Sequence, residues 1–183
     1  MSATNRGSKR VDSDFYATPH VCIEKFLQHY GPLTGNILEP SAGNGRIVEV
    51  VKRGGNNSIT ALEKREEEQE TLQQIADQVI IGDFLDYETH EKFHYIVGNP
   101  PYSMAQEFLE KCFELAGDDT VVIMLLRTNF LESKKRYEFW QKHPVSKLYV
   151  LSQRPSFTGK GTDATSYSWF VWDKTGKQEI HVI

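Results

Sequence analysis

The sequence predicts an α/β fold, with a mostly parallel sheet and helices on both faces. Three observations carry that expectation. Short apolar strand patterns alternate with amphipathic helix patterns along most of the chain. Segment 120–126 is apolar almost throughout, as a strand buried on both faces must be. Glycine or proline closes most of the helical stretches.

Residues 1–13 are polar and without periodicity, and read as a flexible arm. A helix is expected after Pro19, because Ile23, Phe26, Leu27 and Tyr30 fall on one face and Gly31-Pro32 ends the run. A strand over 36–39 leads through a glycine turn into a helix over 46–52, closed by Gly54-Gly55. A second strand is expected at 58–62, a Glu-rich helix at 66–76, a third strand at 78–81 and a fourth at 95–97. The next helix carries Ala105, Phe108, Leu109, Cys112 and Phe113 on one face and stops at Gly117. After the fifth strand, a helix near 133–142 ends before Pro144. Two or three late strands follow, at 147–151, 167–172 and 179–183. Only loops separate them, which predicts an antiparallel hairpin at one edge. With no repeat and no linker, residues 14–183 read as one domain.

The 183 residues, 39% hydrophobic and 25% charged, have the composition of an ordinary globular protein. The two cysteines, Cys22 and Cys112, are too few for a disulfide framework and sit at core spacing. No segment has the length and apolarity of a membrane span or a signal peptide, so a cytoplasmic location is expected. The net charge of −4 is not that of a basic nucleic-acid binder. Local basic clusters at 5–10 and at Lys134, Lys135 and Arg136 still allow such a partner. No spacing suggests a metal site or a Ser-His-Asp or Cys-His arrangement.

In a parallel sheet of this kind ligands bind beyond the carboxyl ends of the strands, where strand order reverses. The residues there are 39–45, Glu63, Asp83 and 99–102. In Glu39-Pro40-Ser41-Ala42-Gly43-Asn44-Gly45, two glycines one residue apart permit a tight turn and close backbone approach to a ligand. A carboxylate in front of that turn would repel a pyrophosphate but attract an ammonium group, which favours an amino-acid-bearing cofactor over a dinucleotide. Glu63, followed by Lys64, stands where an acid accepts from ribose hydroxyls. Asp83 can accept from an adenine amine while Phe84 covers the ring. A structural turn or a surface acid is the alternative for each.

Asn99-Pro100-Pro101-Tyr102 is the most specific signal, expected by chance in fewer than about one chain in a thousand of this length. Two prolines fix the backbone and remove two donors. The Asn99 side-chain carbonyl and the Pro100 main-chain carbonyl can then accept both hydrogens of a planar NH2. Such acceptors localise the nitrogen lone pair and aim it at an incoming electrophile. Tyr102 offers a face on which a flat substrate can stack.

This set resembles the amino-methyltransferase branch of the class I S-adenosylmethionine-dependent enzymes, particularly the DNA adenine-N6 methyltransferases. In that family an Asp- or Asn-Pro-Pro-Tyr/Phe motif grips the target amine, a role the resemblance assigns to Asn99, Pro100, Pro101 and Tyr102. The stretch Asp14-Phe15-Tyr16-Ala17-Thr18-Pro19 is similar to the family's motif over the cofactor's methionine end. Segment 37–47 resembles its glycine-rich motif. Tyr16, Thr18, Pro19, Glu39, Pro40, Ser41, Ala42, Gly43, Gly45, Glu63, Lys64, Asp83, Phe84 and Asn99 are thereby expected to meet the cofactor, S-adenosylmethionine. Phe157, in Arg154-Pro155-Ser156-Phe157, resembles the late aromatic against a flipped base. Arg127 and Asn129, after the fifth strand, are expected to line the target side. The motif order is gamma-like, and the resemblance covers about 14–173. It implies a Rossmann-like class I methyltransferase fold with seven strands, mostly parallel, and an antiparallel edge hairpin.

Members of this arrangement usually carry a separate target-recognition domain after the catalytic one, and none is expected within these 183 residues. Weak sequence specificity, a single-stranded DNA substrate, a specificity subunit or a homodimer would each compensate. Segment 157–168, with Gly159, Lys160, Gly161 and Thr162, could clamp a substrate or be an ordinary loop. Protein glutamine-N5 methylation and RNA base-amine methylation share the motif chemistry, and a non-catalytic cofactor- or DNA-binding remnant is the non-enzymatic alternative. Asn at the motif start, in place of Ser, disfavours cytosine-N4 methylation.

Overall fold

The computed structural model of the chain describes residues 17–157 and 164–183. The arm at 1–13, the basic cluster at 5–10, Tyr16 with the rest of 14–16, and Gly159 to Thr162 lie outside the described residues.

One eight-stranded sheet organises the rest, in the order β3-β2-β1-β4-β5-β7-β6-β8. The strands are β1 (Gly35–Glu39), β2 (Asn57–Glu63), β3 (Gln78–Ile81), β4 (Tyr95–Gly98), β5 (Val121–Arg127), β6 (Lys147–Val150), β7 (Tyr167–Trp172) and β8 (Glu179–Val182). Strand order reverses between β1 and β4, which pair in parallel through Ile37–Tyr95 and Leu38–Ile96. β7 alone runs antiparallel, to both β5 and β6.

The expected sheet is corrected in two respects. It has eight strands, not seven, because β8 adds in parallel to β6. The β6–β7 hairpin is therefore not the edge: β7 is wedged beside β5, and β8 lies outside β6. β7 can take that interior place because all six of its residues are buried.

Alternation along the strands feeds two cores. Ile37, Ile123, Leu125, Trp169 and Val171 face one side, where α1 (His20–Tyr30) and α2 (Arg46–Arg53) cover them. Leu38, Val122, Met124, Leu126 and Phe170 face the other, under α4 (Ala105–Leu115) and α5 (Tyr137–Lys142). α1 buries Cys22, Ile23 and Phe26. Phe26 stacks on Trp169 with ring centroids 4.9 Å apart, and Trp169 Nε1 donates to the Cys22 carbonyl at 3.2 Å. Both cysteines are buried and free, as their spacing predicts.

Two helices are shorter than their patterns. The Glu-rich stretch forms a 3-10 turn at Glu66–Glu68 and then only α3 (Gln69–Gln73), whose one buried side chain is Leu72. With so little apolar surface to bury, nothing drives a longer helix. The stretch from residue 133 begins as a 3-10 turn, Lys134–Arg136, with the Ser133 hydroxyl accepting from the Lys135 N–H. Among the described residues, no helix is long and apolar enough to cross a membrane.

Candidate active site

The carboxyl ends of β1, β2, β3 and β4 meet at a cleft of about 400 Å³, within the usual range for small-molecule sites. Thr18, Glu39, Pro40, Ser41, Ala42, Gly43, Glu63, Lys64, Asp83, Phe84, Asn99 and Pro101 line it. Twelve of the residues read from the sequence are thus brought together from five separate stretches of chain.

Glu39, the last residue of β1, is 2% exposed, and among the described residues its Oε2 has no hydrogen-bond partner. Burial pushes its carboxyl well above the usual range, and the nearby Glu63 carboxylate adds to the rise. The Val48 amide, in the first turn of α2, opposes it. A buried acid in this state is suited to a cation arriving from the cleft.

Glu63 ends β2 and is held from both sides. Its Oε2 accepts from the Gly43 N–H at 2.7 Å. Its Oε1 accepts from the Arg65 N–H at 3.0 Å and from Arg65 Nε at 2.9 Å. Two bonds saturate Oε1, so Oε2 retains the acceptor site for a ligand hydroxyl. Arg65 also pairs with Glu68 at 3.1 Å. The sequence reading missed Arg65, although an arginine two residues past a strand-end acid is the signal that could have found it.

Asp83, after β3, accepts from the Leu85 N–H through Oδ1 at 3.0 Å and pairs with Lys64 Nζ through Oδ2 at 2.7 Å. The Lys64 ammonium first, then the Leu85 amide, hold its carboxyl below the usual range. Phe84 is buried against Phe108, with ring centroids 5.1 Å apart. Phe108, Ser103 and Met104 also line the cleft. The helical pattern marked Phe108 as core, which hid its second role.

The diproline motif is cross-tied to the first two motifs. Asn99 Nδ2 donates to Thr18 Oγ1 at 3.0 Å, and the Ser41 hydroxyl donates to the Asn99 main-chain carbonyl at 3.3 Å. Gly98 brings β4 close to the first loop: a Cβ there would lie 3.2 Å from Pro40 Cδ. Beyond Pro101 the ring of Tyr102 lies in an aromatic group, 6.5 Å from Phe157 and 5.5 Å from Tyr167 between centroids. The Arg127 guanidinium sits 5.1 Å over the Tyr102 ring. Tyr102, Phe157 and Arg127 are thus together, beside the residues that line the cleft. Arg127 is the last residue of β5, not the first after it.

Seven expected residues do not line the cleft: Tyr102, Phe157 and Arg127, grouped beside it, and four others. Pro19 precedes α1, where its carbonyl accepts from the Cys22 N–H at 3.0 Å. Pro100 is buried. Asn129 is exposed in a 3-10 turn and its carbonyl accepts from the Glu132 N–H. Gly45 adopts φ +80° ahead of α2, and a Cβ there would meet Ile75 Cδ1. The left-handed turn is its constraint, and the neighbours a side chain would meet are Ile75 and Leu72, not a ligand in the cleft.

The architecture has clear counterparts among solved structures. A candidate RNA methyltransferase from Pyrococcus horikoshii superposes with a TM-score of 0.70 at 17% identity, covering 92% of this chain and 93% of that one. A candidate class I S-adenosylmethionine-dependent methyltransferase from Listeria monocytogenes gives 0.68 at 11% identity, covering 95% and 67%. The fold is that of the class I methyltransferases. In sequence, the type II methyltransferase M.CvrRI of Paramecium bursaria Chlorella virus XZ-6E is 27% identical over 148 residues, 69% of this chain. The chain spans 39% of that relative's length. No family model matches the chain. Within a class I methyltransferase fold, the cleft just described occupies the reversal point of the sheet, between β1 and β4.

Proposed function

We propose that this chain is an S-adenosylmethionine-dependent methyltransferase acting on the exocyclic N6 amine of adenine in DNA. One observation carries the reading. The Asn99 amide stands in the wall of the same cleft as Glu39, Glu63 and Asp83. The similarity to a viral type II DNA methyltransferase supports DNA as substrate.

The residues present fit the cofactor. Glu39, buried with an oxygen unmet among the described residues, suits the ammonium of its methionine end. Glu63 Oε2 can take a ribose hydroxyl, and Asp83 with Phe84 can take the adenine. Bound there, the cofactor supplies an electrophilic methyl on a sulfonium.

The chain's own residues prepare the other reactant. Asn99 Oδ1 accepts one hydrogen of the target amine, and the main-chain carbonyl of Pro100, whose side chain is buried but whose neighbours Asn99 and Pro101 both line the cleft, accepts the other. That draws its lone pair out of the ring system, and the two dipoles stabilise the positive charge that develops on nitrogen. No base is needed before attack, since the extra proton leaves to solvent afterwards. Tyr102, with Phe157 and Arg127 around it, gives the flat base a surface to stack on. A base in duplex DNA must be extruded to reach this surface.

The test is transfer of labelled methyl to DNA, RNA and protein, followed by digestion of the product. N6-methyladenine from DNA is the expected outcome. Asn99→Ala is expected to remove transfer by a factor on the order of 10² or more while cofactor still binds. Label confined to protein overturns the reading. A base amine in RNA is the second reading, favoured by the likeness to the Pyrococcus horikoshii structure. Label in RNA alone would establish it.

A further inference from the structure

We propose that Thr18 is a positioning residue that sets which end of the Asn99 amide meets the target amine. The inference rests on the reading of Asn99 as the acceptor of that amine. It goes beyond a cofactor contact, the role its motif resemblance suggests for Thr18.

A carboxamide presents an acceptor at one end and two donors at the other, and the two orientations fill the same space. Only one is productive. If Nδ2 faced the substrate, donors would oppose the donors of the amine, and the lone pair would not be drawn out. Something must therefore hold the amide one way round. Asn99 Nδ2 donates to Thr18 Oγ1 at 3.0 Å. Thr18 is only 5% exposed, so that bond is shielded from competing water. The contact joins positions 81 residues apart and places the hydroxyl at the donor end of the amide. The Ser41 hydroxyl meanwhile secures the Asn99 main-chain carbonyl at 3.3 Å. With backbone and Nδ2 both tethered, rotation about the last side-chain bond is what Thr18 controls.

Thr18→Val keeps the shape and removes the acceptor. Its expected effect is a fall in kcat of about 10- to 100-fold, with the KM for DNA within about threefold. The dissociation constant for S-adenosylmethionine, measured by calorimetry, should also stay within about threefold. Thr18→Ser restores the acceptor and should recover kcat to within about threefold of the parent. A Thr18→Val enzyme that keeps its kcat, or loses rate only through weaker cofactor binding, overturns the inference. So does failure of Thr18→Ser to rescue kcat in a protein of unchanged thermal midpoint.

A double-mutant cycle sharpens the test. A carboxylate has no wrong way round, so in an active Asn99→Asp background Thr18→Val should cost less than about threefold. Equal losses in both backgrounds also overturn the inference. Failure of the underlying reading looks different: the unsubstituted enzyme would then transfer no methyl to DNA or RNA.

Discussion

Glu39 sits in the cleft as an acid without an ion-pair partner among the described residues. Burial and the Glu63 carboxylate raise its pKa, and the Val48 amide offsets only part of that. An acid whose folded pKa lies above its unfolded value lowers stability as pH rises through that window. At pH 7 the folded chain bears this cost until a cation binds. Glu39→Gln is therefore expected to stabilise the ligand-free protein by about 1 kcal/mol at neutral pH. That corresponds to a rise of about 2–4 °C in thermal midpoint for a chain of this size. The gain should vanish below about pH 4, where the unfolded acid is protonated too. The same change should weaken S-adenosylmethionine by roughly 10-fold or more, read by calorimetry, because a neutral amide replaces the carboxylate. A lower midpoint at pH 7 would show that Glu39 is already compensated within the fold.

At the scale of elements, the turn from β1 into α2 depends on Gly45. Its φ of +80° suits glycine, and a side chain there would collide with Ile75. Gly45→Ala is expected to cost about 1–2 kcal/mol for the left-handed backbone, since the Ile75 methyl it meets can shift. The urea midpoint of unfolding reads this directly. Gly98→Ala is milder, since the approach to Pro40 Cδ is 3.2 Å, but it pushes the diproline loop away from the first loop. Its expected signature is a kcat reduced by about 10-fold with little change in urea midpoint. These elements also show what a sequence can and cannot disclose. Each strand was legible to within a residue or two, because alternation and apolar runs are local signals. The wedging of β7 between β5 and β6 was not, because no local pattern records which strand is its neighbour. Glu63, Asp83 and Asn99 were legible because strand ends define the site in this class of fold. The Thr18–Asn99 bond and the grip of Arg65 on Glu63 were not, since both depend on how elements pack.

For the molecule as a whole, the sheet separates two rims with different electrostatics. The cleft lies beyond the carboxyl ends of the parallel strands. The ion pair between Lys147 and Asp173, at 2.8 Å, lies at the opposite rim, at the start of β6 and just past the end of β7. Burial opposes the charged form of Asp173, but Lys147, Thr175 and Ser146 outweigh it and hold the carboxyl down at about 2. A depressed folded pKa means that the unfolded chain binds the proton first as pH falls. The stabilisation is therefore complete above about pH 4 and lost between about 4 and 2. Asp173→Asn should lower the thermal midpoint at pH 7, and the gap from the parent should close as pH falls through that window. Glu39 contributes the opposite slope from the other rim, so Glu39→Gln should lose its advantage between neutral pH and about 4, while Asp173→Asn should flatten the loss between about 4 and 2. Because neither Asp173 nor Lys147 lines the cleft, Asp173→Asn should leave kcat unchanged at temperatures where both proteins are folded. A kcat that fell with the midpoint would mean that the two rims are coupled through β7, whose first residue, Tyr167, packs on Tyr102.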